Sequence, residues 1–341
     1  GAFIATLACA YVGETYGWRY GFGLAGFGML FGLIQFLRGQ HLLEGHAEAP
    51  DADKLKEIVF AGISREWVIY LGGFVMVAIS WQLVQHQDLV GGLLGLFAAA
   101  VSLVVLGYTM TKCTKVERDQ IWVAVVLVMF SVLFWALFEQ AGSSLNLFTD
   151  RVVDRQIFGW TATAGMFQSL NAGFIFMLAP LFAWGWVWLS RHGLEPNTPV
   201  KFSIGILQVG LGFLLLVMGI KASGDGMIGL WWIVGLYLLH TSGELCLSPV
   251  GLSMITKLSP VRIGSMMMGV WFLASAGANF IAGLISRMTS TETHGGVITD
   301  VALAKATYIE VYSMVGWYAV GAAVILFLLS FLLRRSMHGV H

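Results

Sequence analysis

The sequence has 341 residues, of which 57% are hydrophobic and 11% charged, against about 45–50% and about 25% in a soluble globular domain. So much apolar surface exceeds what one water-bounded core can cover; the 13 Trp and 42 Gly suit a bilayer, where Trp gathers at interfaces and Gly is frequent in helices. Nineteen Lys and Arg balance nineteen Asp and Glu, so the net charge is zero, and with no basic run interleaved with aromatics there is no electrostatic footprint for nucleic acid.

Stretches of about 20 mostly apolar residues, the length that crosses a hydrocarbon layer about 30 Å thick, recur along the chain. The chain opens at Gly1 inside such a stretch, and residues 1–13 read as part of a span that begins before it. Full spans follow at 18–37, 66–86, 89–110, 120–148, 161–189, 201–220, 228–256, 263–287 and 308–333. The longest polar break, Arg38 to Arg65, reads as a linker between two bundles. With the loops taken alternately, thirteen Lys and Arg fall on the side of the C-terminus and six on the other, which predicts a cytoplasmic C-terminus. Cys9, Cys113 and Cys246 lack CxxC or Cys/His spacing, so no metal site or redox cofactor is expected. No GxSxG, HExxH or paired-His haem pattern occurs, which argues against a membrane-embedded enzyme.

A charge near the bilayer centre costs at least about 2.5–3.5 kcal/mol and calls for a reason. Glu139, in FWALFEQAGSS, lies inside the span 120–148, and Glu244, in LLHTSGELCLSPVGL, near the middle of the span 228–256. Either carboxylate faces a water-filled path and meets substrate or protons, or it pairs with a buried cation that holds the bundle together. No Lys or Arg occupies the middle of a span, so a buried cation would have to come from outside these residues. His240 precedes Glu244 by one turn and Ser248 follows it by one turn, a spacing open to a proton relay, a packed histidine or a weak metal pair. Asn171 and Asn279 sit among Gly and Ala; for Asn279 an interhelical hydrogen bond at a close contact is expected. Pro249 is expected to interrupt its helix and place a bend beside Glu244, as a hinge would.

The strings GELCLSPVGLSMITKLSP (243–260) and GSMMMGVWFLASAGANFIAG (264–283) closely resemble helices ten and eleven of the proton-dependent oligopeptide transporters, a branch of the major facilitator superfamily. FWALFEQAGSSLNLF (134–148) resembles their helix seven, and GAFIATLACAYVGETYGWRYGFGLAGFGMLFGL (1–33) their helices five and six. The resemblance implies an all-α polytopic membrane protein with a partial major facilitator fold, helices five to twelve plus the two inserted helices of bacterial members. The division would be 1–37 for helices five and six, 38–65 a linker, 66–110 the inserted hairpin, 111–119 a second linker, 120–335 the C-terminal six-helix bundle and 336–341 a tail.

The function implied is symport of di- and tripeptides with protons across a bacterial inner membrane by alternating access, the proton being the coupling ion and no cofactor being needed. Glu244 resembles the glutamate that recognises the peptide amino group and pairs with a helix four lysine. Asn171 matches an asparagine that contacts the peptide amino end, and Trp135, Trp271 and Ser275 fall where the family lines its side-chain pocket. Glu139 resembles the glutamate tied to proton coupling and gating, and Asp150 or Asp154 sits where an outer gate pair could form. The family's ExxER motif and its helix four lysine are not in this sequence, which implies that helices one to four, and half the site, are supplied from elsewhere. A symporter of another small solute, or a non-transporting receptor or scaffold, shares the same fold.

Overall fold

Inside lipid every backbone N–H and C=O must be bonded within its own segment or its bundle, so a chain this apolar has to be helical where it crosses. The structure, a computed structural model, describes residues 1–341 except 47, 48, 50, 61, 291, 292, 295, 296, 299 and 341, and of 293, 294, 297 and 298 the backbone alone. The expected 38–65 linker and 336–341 tail both include positions outside the described residues.

The helices are α1 (Ala2–Tyr16), α2 (Trp18–Gly39), the short α3 (Ala52–Lys56), α4 (Arg65–Val84), α5 (Gln87–Lys112), α6 (Lys115–Phe138), α7 (Ser144–Val152), α8 (Ser169–Arg191), α9 (Thr198–Ala222), α10 (Leu230–Leu258), α11 (Gly264–Met288) and α12 (Val301–Ser336). Three antiparallel two-stranded hairpins punctuate them: β1 (Ile58–Phe60) with β2 (Ile63–Ser64), β3 (Gln156–Ile157) with β4 (Trp160–Thr161), and β5 (Thr293–His294) with β6 (Val297–Ile298). Among the described residues nine helical runs, from Trp18–Leu43 to Val301–Ser336, are long and apolar enough to span a bilayer. Local chemistry sets several starts. Thr114 and Glu117 form a reciprocal capping box on α6, Asn197 accepts from Val200 N at 3.0 Å ahead of a first-turn proline in α9, and Asp300 accepts from Leu303 N at 2.9 Å on α12. Asp51 caps α3 in the same way, and its hydrogen bonds from Lys54 hold its carboxyl below the usual range.

The chain divides into two compact units. One, Phe22–Val101, holds most of α2, the α3 and β1–β2 linker, α4 and the first part of α5. None of the α4 side chains is buried, and Phe74 and Trp81 are about 70% exposed, a surface that only lipid or another apolar partner can cover. The second unit combines Gly1–Gly21 with Ser102–His341. Its core is built on α9, which packs along α10 and α12, while α6 packs on α11. Glycines permit the closest approaches: a Cβ on Gly205 would lie 2.9 Å from the Gly243 carbonyl oxygen, and one on Gly243 2.8 Å from that of Gly205. Gly205→Val should therefore force α9 and α10 apart and destabilise the bundle by about 1–3 kcal/mol. Thermal unfolding in detergent checks this, and an unchanged midpoint would contradict the contact. Gly251 is likewise filled against by Trp271 and Phe202.

Three sequence expectations change. The span 120–148 is two helices, because α6 stops at Phe138, a 3-10 turn covers Glu139–Gly142, and α7 starts at Ser144. Gly142 and two serines are weak helix formers, which allows the break. The span 161–189 opens with the end of β4 and a 3-10 turn, Ala164–Gln168, before α8 proper. Pro249 does not interrupt its helix, since α10 is continuous from Leu230 to Leu258 around it.

Candidate functional site

Helix α10 carries the first carboxylate. Asn171, in the first turn of α8, donates from Nδ2 to Glu244 Oε2 at 2.8 Å and to the buried Thr241 Oγ1 at 3.2 Å. Thr241 and Glu244 are three residues apart on α10 and share a face, so one amide from α8 spans both. Glu139 lies within electrostatic range of Glu244, half-buried at the junction of α6 and the 3-10 turn. Among the described residues neither carboxylate forms an ion pair. The two buried lysines are engaged elsewhere. Lys201 pairs with Glu195 at 2.5 Å. Lys305 donates to Ser223 Oγ at 3.0 Å, to the Gly224 carbonyl at 2.9 Å and to the Gly226 carbonyl, closing the end of α9.

The aromatic candidates assemble separately. Trp135, Pro249, Trp271 and Ser275 line one open cavity of about 660 Å³, with Ser248, Leu252, Ser253, Thr256, Met268 and Phe272 completing its wall. Trp271 is almost wholly buried, and Trp135 Nε1 is buried without a hydrogen-bond partner. An indole N–H in that condition is a donor available to a ligand.

The remaining expected residues lie outside this group. His240 is buried between Phe213 and Phe138, at ring distances of 5.1 and 6.2 Å, and its Nε2 donates to the Val209 carbonyl oxygen at 3.2 Å. A ring packed among aromatics and fixed by a backbone carbonyl is a core histidine. Asp150, in the last turn of α7, pairs with Arg155, five residues on, at 2.9 Å, and Asp154 accepts from the nearby Gln156 N at 3.1 Å. Asp154 is also held by a bridge in which its N–H donates to Ile228 O at 2.9 Å. Among the described residues Asn279 makes no interhelical bond; it is exposed and its Nδ2 donates back to Ser275 O on α11 at 3.0 Å. Among the described residues no group of three or more His, Cys, Asp or Glu is placed to hold a metal.

Two polar residues that hold helix ends were missed in the sequence. Gln140 is fully buried, its Nε2 donating to Ala136 O at 3.0 Å and to Ala282 O on α11 at 3.1 Å, while its Oε1 accepts from Ser144 Oγ at 2.7 Å. Glu14, near the end of α1, accepts from the N–H groups of Ala164 and Gly165. The only signal for either was a polar residue next to one already singled out or just past a span edge.

A family model described as POT family matches residues 1–301. The chain belongs to the POT family. It is 34% identical over 306 residues to the peptide transporter YePEPT of Yersinia enterocolitica, covering 84% of this chain and 58% of that protein. It is 29% identical over 336 residues to the dipeptide and tripeptide permease A of Salmonella typhimurium, covering 98% and 64%. Among solved structures, a mutant of peptide transporter POT in complex with alafosfalin superposes with a TM-score of 0.79 at 29% identity, over 99% of this chain and 66% of that one. These likenesses make the architecture part of a major facilitator fold, and its POT relatives are multi-pass membrane transporters. The chain spans about 58–66% of the length of the curated relatives it matches.

Proposed function

We propose that this chain forms one wall of a proton-coupled symporter of di- and tripeptides in a bacterial cytoplasmic membrane, with its C-terminus in the cytoplasm. The observation that carries the reading is the Asn171 to Glu244 hydrogen bond in a bundle whose described residues bring no cation to either glutamate. A carboxylate positioned by a single amide donor keeps acceptor capacity on both oxygens, which suits a ligand ammonium such as a peptide amino terminus. The open cavity of aromatic and small residues at Trp135, Trp271 and Ser275 accepts varied side chains without specifying one. Glu139, at a helix break, is the proton-responsive group, since protonation there removes charge at the point where the helix is already discontinuous. Pro249, exposed within a continuous α10, contributes a missing backbone N–H beside the cavity and acts as a soft point in α10. Asp150, already paired with Arg155, is the better placed of the two aspartates for an outer gate. The opposing wall, with cations for the peptide carboxylate and for the two glutamates, is helices one to four of a POT-type N-terminal bundle, and the two bundles rock about a site near the midplane.

Liposomes holding the chain together with helices one to four of a POT relative are expected to take up labelled dipeptide at a rate that rises with an inward proton gradient. Absent or gradient-independent uptake by a verified folded protein would overturn peptide symport and favour another solute or a scaffold.

A further inference from the structure

The helical run that becomes α8 begins at Thr163, whose backbone is extended (φ −76°, ψ 149°), the usual geometry of a helix-capping residue. A threonine there ordinarily turns its hydroxyl to accept from the second or third N–H of the helix, here Gly165 or Met166. In this structure it does not: Thr163 makes no side-chain cap, and its Oγ1 is buried with no partner among the described residues. The helix end is capped from another helix instead. Glu14 Oε2 accepts from Ala164 N at 3.0 Å, and Oε1 accepts from Gly165 N at 2.7 Å. The carboxylate reaches this backbone because residue 165 is glycine, where a Cβ would lie 2.5 Å from Glu14 Oε1 and 3.0 Å from Ala10 Cβ. One N–H, that of Gly165, thus has two acceptors built for it, one in use and one buried and idle.

We propose that Glu14 and Thr163 are alternative caps of the same helix end. Glu14 holds it while α1 is docked; Thr163 takes over when α1 withdraws. A buried hydroxyl without a partner is uncommon and calls for an explanation, and an uncapped helix end in an apolar setting is costly. A cap that passes from one acceptor to the other lowers the cost of α1 leaving α8, since Gly165 N–H keeps an acceptor, and so brings the docked and undocked arrangements closer in free energy, as a helix that moves requires. The role given to this exchange rests on the alternating-access reading, whereas its test does not.

The test is hydrogen–deuterium exchange at the Gly165 amide of the full 341-residue chain in lipid nanodiscs, since the Met166 N–H is held by the Thr163 carbonyl oxygen. Thr163→Val alone should exchange like the unaltered protein, because the hydroxyl is idle while Glu14 is docked. Glu14→Ala should raise exchange only about twofold to threefold, because Thr163 replaces the lost acceptor, and Glu14→Ala with Thr163→Val should raise it roughly a further fivefold to tenfold, the scale of one lost cap. Glu14→Ala with Thr163→Ser should match Glu14→Ala. A valine double variant that fails to fold beside a folded serine double variant is the same result at its extreme. If Thr163→Val adds nothing in the Glu14→Ala background, or Glu14→Ala alone exposes the Gly165 amide fully, the exchange of caps is wrong. The readout is amide protection, so a chain that transports nothing would still decide it.

Discussion

Glu244→Gln in the transporting protein is expected to reduce proton-driven dipeptide uptake at least about tenfold while leaving the thermal unfolding midpoint in place. The two halves of that result follow from different atoms. Glutamine keeps the shape of glutamate and an oxygen able to accept from Asn171 Nδ2, so the link between α8 and α10 survives. The charge does not survive. A hydrogen bond to a charged group contributes about 1.5–3 kcal/mol, which corresponds to roughly a tenfold to a hundredfold change in binding. Uptake at the normal rate would remove Glu244 from substrate recognition, and a lost fold would show that the carboxylate serves the bundle. Asn171→Ala provides the complementary case: with the charge kept but its orienting donor gone, the apparent affinity should fall by less than in Glu244→Gln.

Hydropathy made the spans legible because the cost of burying polar backbone and charge in lipid acts on every segment alike, and nine of them emerge at the expected places among the described residues. Glu244 and Asn171 were each visible as polar exceptions in apolar runs; their contact was not, since nothing local in either segment reports which helix faces which. The two expectations about helix continuity failed in opposite directions. Pro249 lies in an unbroken helix, whereas the break falls at Glu139, where no proline stands. Proline removes one N–H, and a long, well-packed helix tolerates that loss. Weak helix formers allow the break at Glu139, but Gln140 also ties it to the Ala282 carbonyl on α11, a tertiary contact that local propensity does not encode. His240 shows the same limit from the other side. One-turn spacing placed it on a face with Glu244 and Ser248, but its ring is enclosed by Phe213 and Phe138. Glu14 was invisible as a cap because its partners are 150 and 151 residues away in sequence.

Gln140 is the place where this tertiary effect can be measured. Ending α6 at Phe138 frees backbone carbonyls in an apolar interior, and the Gln140 amide takes up that of Ala136 while tying the turn to Ala282 on α11. Its oxygen fixes Ser144 at the start of α7, and the Tyr312 hydroxyl on α12 donates in turn to Ser144 Oγ at 3.3 Å. One fully buried side chain therefore joins α6, α7 and α11 at the break beside Glu139, and α12 is attached through Ser144. Gln140→Leu keeps the volume and removes every bond. Each buried group left unsatisfied costs about 1–3 kcal/mol, so the loss should total about 2–5 kcal/mol, with Ser144 partly compensated by Tyr312. Thermal unfolding of the purified protein reads this directly, and a leucine variant as stable as the original would mean that packing alone holds the break. Transport sharpens the distinction. If the network positions Glu139, a Gln140→Leu protein rescued at low temperature should still lose gradient-driven uptake; if it only stabilises the bundle, cooling should restore uptake along with the fold.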